Sequence, residues 1–492
     1  MMELRPGDGP FSDRYPSTLA TPCIGVPKQR PWQTRQLDRH IGHYRIRTLQ
    51  QGVAQCPWRS RPCALARFRI PGTCHSQSQN TTFAHTVKLP LLNGKFVAMT
   101  DHRRLRVLYT SHASVVDVYQ DKLRHIAASN IELTVLLPDR YLEGTRIVEA
   151  YRGDGSYRVI TRPTIFGERG RQNAFVYRGL RSVFRDVQPD IIHIEEEPES
   201  FVTVQLIRHA LKMRRLPKLV GFTWRNWPMP YPHWPWYHPK RMLYSITQQM
   251  SLPHLDVLIA GTHDAEAEFR PLGFTGPMPL IPQYGVNPEI YHPPTDREAS
   301  RARHNLTGIV IGFVGRVLQM KGLDVLADAV AQLTDLPITL VILGNGDHRA
   351  ALEQRCRELG IADRTRFVHG IPARDVPDLM GCFDILAIPS LSAPHWREQF
   401  GRVIIEAMAC GVPVVGSDSG EIPHVIGDAG LVTREGQVED LSAALRKLAT
   451  NEELRQQLRL NGIKRVQDHY TNARIAAATV EIYRALIARS HS

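Results

Sequence analysis

Two glutamates in the second half of the chain have the type and spacing of a ligand-binding pair. Glu398 precedes a predicted helix, and Glu406 follows eight residues later within it. Because about two helical turns separate them, these carboxylates can bind different hydroxyl groups. Phe400, Gly401 and Arg402 lie between them, in the predicted first turn. The N–H groups of a first turn have no partner within the helix and can bind an anion.

Two cations are predicted at the start of another helix. Arg316 and Lys321 follow a short apolar strand in GFVGRVLQMKG, where Gly312 and Gly315 permit a tight turn. A helix N-terminus with free N–H groups and two cations suits a diphosphate. The alternative interpretation of both motifs is ordinary: exposed basic residues in a strand–helix turn, and solvated glutamates on an amphipathic helix.

Short apolar runs predict the strands that must position these residues. They fall in two sets: LRVLYT (105–110), IELTVLL (131–137), DIIHIE (190–195), KLVGFT (218–223) and DVLIAG (256–261), and then IVIGFVG (309–315), ITLVIL (338–343), DILAIP (384–389) and VPVVGS (412–417). Helices are predicted between them, among others at 198–213, 262–272 and 321–334. Apolar runs without alternation are typical of parallel strands covered on both faces. The pattern predicts an α/β protein with two doubly wound, Rossmann-like domains facing across a cleft.

The predicted domains are an N-terminal one over 99–285 and a C-terminal one over 286–471. A Pro-rich polar segment, 281–300, is the predicted linker, and a last helix over 472–489 is expected to cross back onto the first domain. Residues 1–98 show no periodicity. They are predicted to be a disordered basic leader or sequence translated upstream of the true start, with a small extra module as the alternative.

The net charge of +13 is concentrated in that leader. It holds 14 Lys and Arg against 4 Asp and Glu, whereas the remainder holds 47 against 44. The folded part is therefore nearly balanced, which argues against a specific nucleic-acid-binding protein. The seven cysteines form no CxxC pair or metal-ligand spacing, so no metal site is expected. No run of about 18 apolar residues and no signal pattern occurs, and the predicted location is cytoplasmic.

The segment PSLSAPHWREQFGRVIIEAMACGVPVVGSDSGEIPHVI (389–426) resembles the family 4, or group 1, retaining glycosyltransferases of the GT-B fold. IPQYGVNPEIYHP (281–293), ILGNGD (342–347) and FVHGIPARDVPDLMGCFDILAIPS (367–390) support the resemblance. It is specific over about 280–490 and weaker over 105–280. It implies metal-independent transfer of a hexosyl group, with retention, from a nucleoside-diphosphate sugar to a saccharide or lipid-linked acceptor, with no cofactor required.

The resemblance also implies that the domain over 99–285 binds the acceptor and the domain over 286–471 binds the donor. It gives the following residue roles on the donor side. Arg316 and Lys321 would neutralise the departing diphosphate, and Glu398 would bind the transferred hexose. Glu406 would hold the ribose. The remaining donor-binding residues would be Gly315, Gly344, Phe400, Gly401 and Arg402, the last three through backbone N–H groups.

The acceptor half departs from the family pattern. A Gly-Gly turn common after the first strand is replaced by YTSHASVVDVY (109–119), and Arg225 and Asn226 occur where a histidine is usual. The candidate acceptor contacts are His112, His193, Arg225 and Asn226, although a histidine beside a strand is more often structural. HIEEEPE (193–199) is either a set of acceptor-orienting carboxylates or a solvated acidic helix start.

A tryptophan-rich loop raises the possibility of a membrane partner. It holds Trp224, Trp227, Trp234 and Trp236, followed by Lys240 and Arg241. Aromatic rings stack on sugars and settle at membrane interfaces, and cations suit anionic lipid. Peripheral contact at the inner membrane face is one hypothesis, and a loop packed on its own domain is the other.

Three other functions compete with the transferase hypothesis. A sugar-nucleotide epimerase would use the same scaffold with acid–base residues in the cleft. A catalytically silent glycan- or nucleotide-binding subunit would keep the fold alone. Nucleic-acid binding would reside in the basic leader and weaken steeply with salt.

Overall fold

A computed structural model describes residues 103–143, 146–226, 235, 237–393 and 396–489. The expectation for the leader therefore lies outside the described residues. The strands of the first half are β1 Leu105–Thr110, β2 Ile131–Pro138, β3 Arg140–Glu143, β4 Arg146–Glu149, β5 Arg158–Arg162, β6 Thr164–Ile165, β7 Val176–Tyr177, β8 Ile191–Ile194, β9 Lys218–Thr223 and β10 Val257–Ala260. Its helices are α1 Asp121–Ala127, α2 Leu180–Val187, α3 Phe201–Ala210, α4 Pro239–Ser251 and α5 Ala265–Phe269.

The second half repeats the alternation of strands and helices. Its strands are β11 Ile309–Val314, β12 Ile338–Leu343, β13 Thr365–Val368, β14 Ile385–Ile388, β15 Val414–Ser417 and β16 Gly430–Thr433. The helices are α6 Arg297–Arg303, α7 Leu323–Ala331, α8 Arg349–Glu358, α9 Val376–Met380, α10 Arg402–Ala409, α11 Ile422–Ile426, α12 Val438–Thr450, α13 Glu452–Arg465 and α14 Asn472–Ala488.

Both large sheets are parallel and share one strand order. The first runs β10-β9-β8-β1-β2-β5 and the second runs β13-β12-β11-β14-β15-β16. In each sheet the first strand of the set therefore lies beside the fourth, which makes a topological switch point between them. Ligands of doubly wound sheets bind in the crevice beyond the carboxyl ends of the strands at that point. The predicted fold class is confirmed.

The central strands are apolar on both sides because each sheet has a core on each face. In the first sheet, Leu108 and Ile192 belong to one core cluster, whereas Val107 and Tyr109 belong to the other. All four side chains are completely buried. This two-sided burial is the physical reason that the apolar runs predicted these strands correctly.

The edge strands β5, β13 and β16 were not predicted. Their sequences are RVITR, TRFV and GLVT, and most of their residues are half-buried or exposed. These three strands pack less side-chain surface than the central ones and carry no long apolar run, unlike the edge strand β10, whose residues are all buried. The hairpins β3–β4 and β6–β7 were not predicted either, because their short strands bury little side-chain surface.

The last helix, α14, packs on the first sheet. Ile475, Val480 and Tyr483 join the core cluster that contains Val107 and Tyr109. The Nδ1 atom of His193, at the end of β8, lies 2.6 Å from the hydroxyl of Tyr483. Among the described residues, no helix combines the length and apolar character needed to cross a bilayer.

The chain passes between the two sheets at Val286 and again at 470–472, and these two segments lie side by side. The N–H of Val286 donates to the carbonyl of Tyr470 (2.9 Å), and the N–H of Asn472 donates to the carbonyl of Val286 (3.0 Å). The N–H of Gly285 donates to the side chain of Asn472 (3.0 Å). The predicted linker is thus hydrogen-bonded to the start of the last helix.

Replacing Tyr483 with Phe should destabilise the packing of α14. The change leaves the His193 Nδ1 atom buried without its partner, which costs about 1–3 kcal/mol. Urea denaturation followed by circular dichroism measures the loss. Tyr291→Phe is the control, because no hydrogen bond of its hydroxyl occurs among the described residues. Equal stabilities of the two variants would contradict this role of the hydroxyl.

Candidate functional site

The donor-side candidates follow two neighbouring strands at the second switch point. β11 pairs with β14 through Ile311 with Ile385 and Gly312 with Leu386. The chain leaves β11 into the turn that contains Lys321 and leaves β14 into the loop that contains Glu398. The two loops therefore start from adjacent strand ends.

A close backbone approach joins these loops. The N–H of Leu391 donates to the carbonyl of Met320 (2.9 Å). Gly322 has a φ of +68°, and a Cβ there would lie 1.8 Å from the carbonyl oxygen of Pro389. Only glycine fits this contact. It holds the residue before it, Lys321, against the loop after β14.

Lys321 and Glu398 form the centre of the site. The Lys321 Nζ atom lies 2.6 Å from Glu398 Oε2, and the hydroxyl of Ser390 donates to the same oxygen (2.9 Å). The ammonium also lies 4.8 Å from the ring centroid of Trp396. The side chains of Lys321 and Glu398 are 19% and 12% exposed. A largely buried cation and carboxylate in contact can together bind a phosphate oxygen and a sugar hydroxyl.

The predicted helix start at Lys321 is wrong. Lys321 ends a short 3-10 turn, Gly322 is the N-cap, and α7 begins at Leu323. The left-handed glycine separates the turn from the helix. Arg316 is exposed just beyond β11, and its guanidinium has no hydrogen bond or ion pair within the described part of the chain.

The N-terminus of α10 is an open set of donors. Gly401, with φ +71°, is the N-cap and Arg402 is the first helical residue. Phe400 and Gly401 therefore precede the helix, whereas the sequence predicted them in its first turn. The N–H groups of 400–403 donate to no acceptor among the described residues, whereas the Ile404 N–H donates to Gly401. The Phe400 side chain is buried in the core, which leaves its backbone to act. This end of α10 suits an anion.

Arg402 and Glu406 face a recess between the sheets. Their side chains are 3.1 Å apart. The Arg402 guanidinium lies 5.2 Å from the ring of Tyr119 and 5.7 Å from that of Tyr284. Burial disfavours its charge, but Glu406 outweighs this and raises the pKa of Arg402. The recess has about 190 Å³ and is also lined by Tyr291.

Gly315 and Gly344 bring the turns after β11 and β12 into contact. The Gly315 N–H donates to the carbonyl of Leu343 (3.0 Å). With φ +147° at Gly344, a Cβ there would lie 1.9 Å from the carbonyl oxygen of Gly315. Any larger residue would separate the two turns.

On the acceptor side, His112 pairs with a buried carboxylate. It follows β1, and its Nδ1 atom lies 2.7 Å from Glu196 Oε2, just after β8. The two residues therefore occupy the first sheet's switch point. Burial lowers the pKa of His112, but Glu196 outweighs it and leaves this pKa above its ordinary value. His112 also packs beside Tyr141, with ring centroids 4.9 Å apart.

His193 is not placed to meet an acceptor. Its side chain is buried, and Tyr483 of the last helix occupies its Nδ1 atom. Burial lowers the pKa of His193 to about 3, which keeps the ring neutral. The candidate acceptor role is corrected to a structural one.

Arg225 and Asn226 are also turned away from direct acceptor contact. The Arg225 guanidinium is buried against Glu199 (2.7 Å) and donates to Gln248 (3.0 Å). The amide of Asn226 donates to the backbone carbonyl of Glu398 (3.1 Å). Both side chains are engaged by the protein itself, Asn226 across the cleft.

The solvated interpretation of the acidic segment is wrong, because its carboxylates are bound by protein groups inside the fold. Its role in orienting an acceptor stays a prediction. Glu195 pairs with Lys122, and Glu197 accepts from the hydroxyl of Thr223 (2.7 Å) and the N–H of Trp224 (2.8 Å). Burial, with Glu199 nearby, raises the pKa of Glu197 to about 7. Sequence reasoning missed Lys122 as the partner because 73 positions separate it from Glu195.

Only part of the tryptophan-rich loop can be placed. Trp224 donates through its indole N–H to Gln283 and packs near Phe400, with ring centroids 5.9 Å apart. Trp227, Trp234 and Trp236 lie outside the described residues. Within the described ranges, no group of three His, Cys, Asp or Glu side chains is arranged to hold a metal ion.

Comparison with known proteins gives a family match over the second half. Residues 295–465 match the model for glycosyl transferases group 1. A D-inositol 3-phosphate glycosyltransferase from Corynebacterium jeikeium is 34% identical over 229 residues, which is 43% of this chain and 53% of that protein. The chain spans about half the length of the curated relatives it matches.

Solved structures share the two-domain fold. Sucrose-phosphate synthase from Thermosynechococcus elongatus superposes with a TM-score of 0.58 at 20% identity, covering 78% of this chain and 100% of that one. Anabaena Alr3699/HepE in complex with UDP and glucose gives a TM-score of 0.56 at 20% identity, covering 77% and 100%.

These matches support the transferase hypothesis and not the epimerase alternative. The family match covers the strands and loops that carry Lys321, Glu398 and the N-terminus of α10. The arrangement of both sheets is that of GT-B glycosyltransferases. Residues 295–465 of this chain are therefore similar to the group 1 glycosyl transferases.

Proposed function

We propose that this protein transfers a hexosyl group from a nucleoside-diphosphate sugar to a saccharide or lipid-linked acceptor, with retention of configuration. The observation that carries the proposal is the contact between Lys321 and Glu398 at the second switch point. It places a cation and a hydroxyl-binding carboxylate beside each other. The family match and the UDP and glucose in the Anabaena protein support a nucleotide-sugar donor.

On the donor side, the diphosphate would lie between the cations and α10. Arg316 and Lys321 would face its oxygens, and the free N–H groups of 400–403 would donate to them. Negative charge grows on the diphosphate as the sugar–oxygen bond breaks. Fixed cations and helix-end dipoles stabilise that charge without reorganising, and no resident metal or other cofactor is required in this proposal.

The sugar and ribose would bind to different carboxylates. Glu398 has one oxygen held by Lys321 and Ser390, so its position is fixed while its other oxygen can accept from a hexose hydroxyl. Glu406 lies about one turn into α10, which begins at Arg402, and would accept from the ribose hydroxyls. Gly315 and Gly344 would let the nucleotide approach the backbone between them.

The acceptor would bind at the other switch point, next to His112. Glu196 holds the Nδ1 atom of this imidazole, which leaves its Nε2 edge to form a hydrogen bond with a polar acceptor. The name of the Corynebacterium relative, a D-inositol 3-phosphate glycosyltransferase, supports a small polyol acceptor bearing phosphate. The cytoplasmic location stays a prediction.

Peripheral membrane contact is proposed for the face formed by α4. This helix is polar toward the protein, where Thr247 and Gln248 are buried. Its outward face is apolar: Met242, Leu243 and Ile246 are 49%, 42% and 51% exposed. A helix with this inverted arrangement has an apolar face suited to the interface of a bilayer.

Charge beside α4 favours an anionic bilayer over a second copy of the chain. A groove of about 390 Å³ between α3 and α4 is lined by Arg208 and Lys212, both exposed. Two copies meeting through this face would bring these cations together, whereas anionic headgroups would neutralise them.

Replacing Lys321 with Ala or Glu398 with Gln should reduce kcat/KM for transfer by about a hundredfold. Each variant loses one charged contact with the transition state. The loss of such a contact commonly raises the activation free energy by about 3 kcal/mol. The assay follows nucleoside-diphosphate release over a panel of UDP-, GDP- and ADP-sugars, and NMR of the product assigns its anomer. Lys447→Ala, on the exposed face of α12, is the matched control.

Three results would contradict the proposal. They are no turnover by the unchanged chain with any donor, full activity of Lys321→Ala, or a product of inverted configuration.

The double variant Met242→Gln/Ile246→Gln should bind anionic vesicles at least about tenfold more weakly. Each side chain loses apolar burial worth about 1.5–3 kcal/mol when complete. Cosedimentation with phosphatidylglycerol–phosphatidylcholine vesicles measures the partition. Leu460→Gln is the control, because that side chain is 66% exposed on α13. Equal partition of both variants would refute docking through α4, and a loss of self-association instead would indicate a second copy as the occupant.

A further inference from the structure

The backbone carbonyl of Glu398 is held by both halves of the protein. The N–H of Glu421, in the same half, donates to it (3.1 Å), and the amide of Asn226, from the loop after β9, donates from across the cleft (3.1 Å). A Cβ at Gly420, where φ is +55°, would lie 2.1 Å from this oxygen. The carbonyl is therefore enclosed on three sides.

A second contact from the first half secures the same segment. The N–H of His263, in the loop after β10, donates to Glu421 Oε2 (3.0 Å), and its Nδ1 atom lies 2.5 Å from Oε1. The ring of His424 stacks on that of His263, with centroids 3.9 Å apart. The Glu421 side chain is 6% exposed. His263 thus holds the residue whose N–H holds Glu398.

The two loops of the first half are themselves joined and anchored. The hydroxyl of Thr262 donates to the backbone carbonyl of Arg225 (3.0 Å). The Arg225 side chain is fixed in the interior by Glu199 (2.7 Å) and lies over the ring of Phe269. A rigid buried anchor therefore lies behind both contacts with the donor segment.

We propose that Asn226 and His263 are positioning residues that set the Glu398 carboxylate against Lys321 when the two halves are together. This inference rests on the proposed function and adds a role for residues of the acceptor half in donor geometry. Asn226 contacts the Glu398 backbone, and His263 acts through Glu421. The nucleotide diphosphate, held by α10 and the cations, does not depend on either residue.

Asn226→Ala and His263→Ala should each lower kcat by about tenfold, the worth of one hydrogen bond. The affinity for free nucleoside diphosphate should stay within about twofold of the unchanged chain, measured by calorimetry. His254→Ala, an exposed histidine of the same half, is the matched control. Glu421→Gln keeps an acceptor for His263 and should restore most of the kcat that Glu421→Ala loses.

Hydrogen–deuterium exchange of the peptide around Glu421, whose N–H donates to the Glu398 carbonyl, tests the positioning without turnover. Exchange there should be faster in Asn226→Ala and His263→Ala than in the unchanged chain and His254→Ala. Unchanged exchange, or an equal loss of kcat and diphosphate affinity, would overturn the inference. If the unchanged chain transfers no sugar, the proposed function fails, and the exchange rates alone decide whether these residues position the segment.

Discussion

The ion pair between Lys321 and Glu398 is the interaction on which the arrangement of the donor half depends. Two parallel strands end side by side, and a glycine contact at Gly322 lets their loops touch. Removing the charges of this largely buried lysine and glutamate from water costs free energy. Their mutual attraction offsets that desolvation cost only when the geometry of the contact is good. The hydroxyl of Ser390 and the ring of Trp396 complete it. The strand order and Gly322 bring Lys321 and Glu398 together, and the polar neighbours stabilise their contact.

The first half also contains buried carboxylates that are stabilised by charged or imidazole partners. Glu195, Glu196 and Glu199 are each buried, and each has a cationic or imidazole partner from elsewhere in the chain. Removing one partner would leave an uncompensated buried charge, which is strongly destabilising. The segment therefore ties the ends of β1, β8 and β9 together. These ion pairs fix the loops that line the cleft on the side of the first sheet.

The fold was predictable because parallel strands buried on both faces leave apolar runs in the sequence. ITLVIL, for example, gave the bounds of β12 correctly. The donor-side candidates Glu398 and Glu406 could be singled out because they fall within 40 residues of recognisable sequence, and their donor roles stay predictions. The acceptor side was not, because its contacts join distant positions: Lys122 with Glu195, His193 with Tyr483, and Asn226 with Glu398. No local pattern encodes a partner that is 172 or 290 positions away.

The paired crossings at Val286 and Asn472 restrict how the two halves can move. Because these two segments are hydrogen-bonded to each other, they define a single hinge axis between the halves. Rotation about that axis would separate Asn226 and His263 from the donor segment without breaking a hydrogen bond within either sheet. Opening of the cleft about this axis would therefore have few degrees of freedom, and closing would bring the same atoms back into contact.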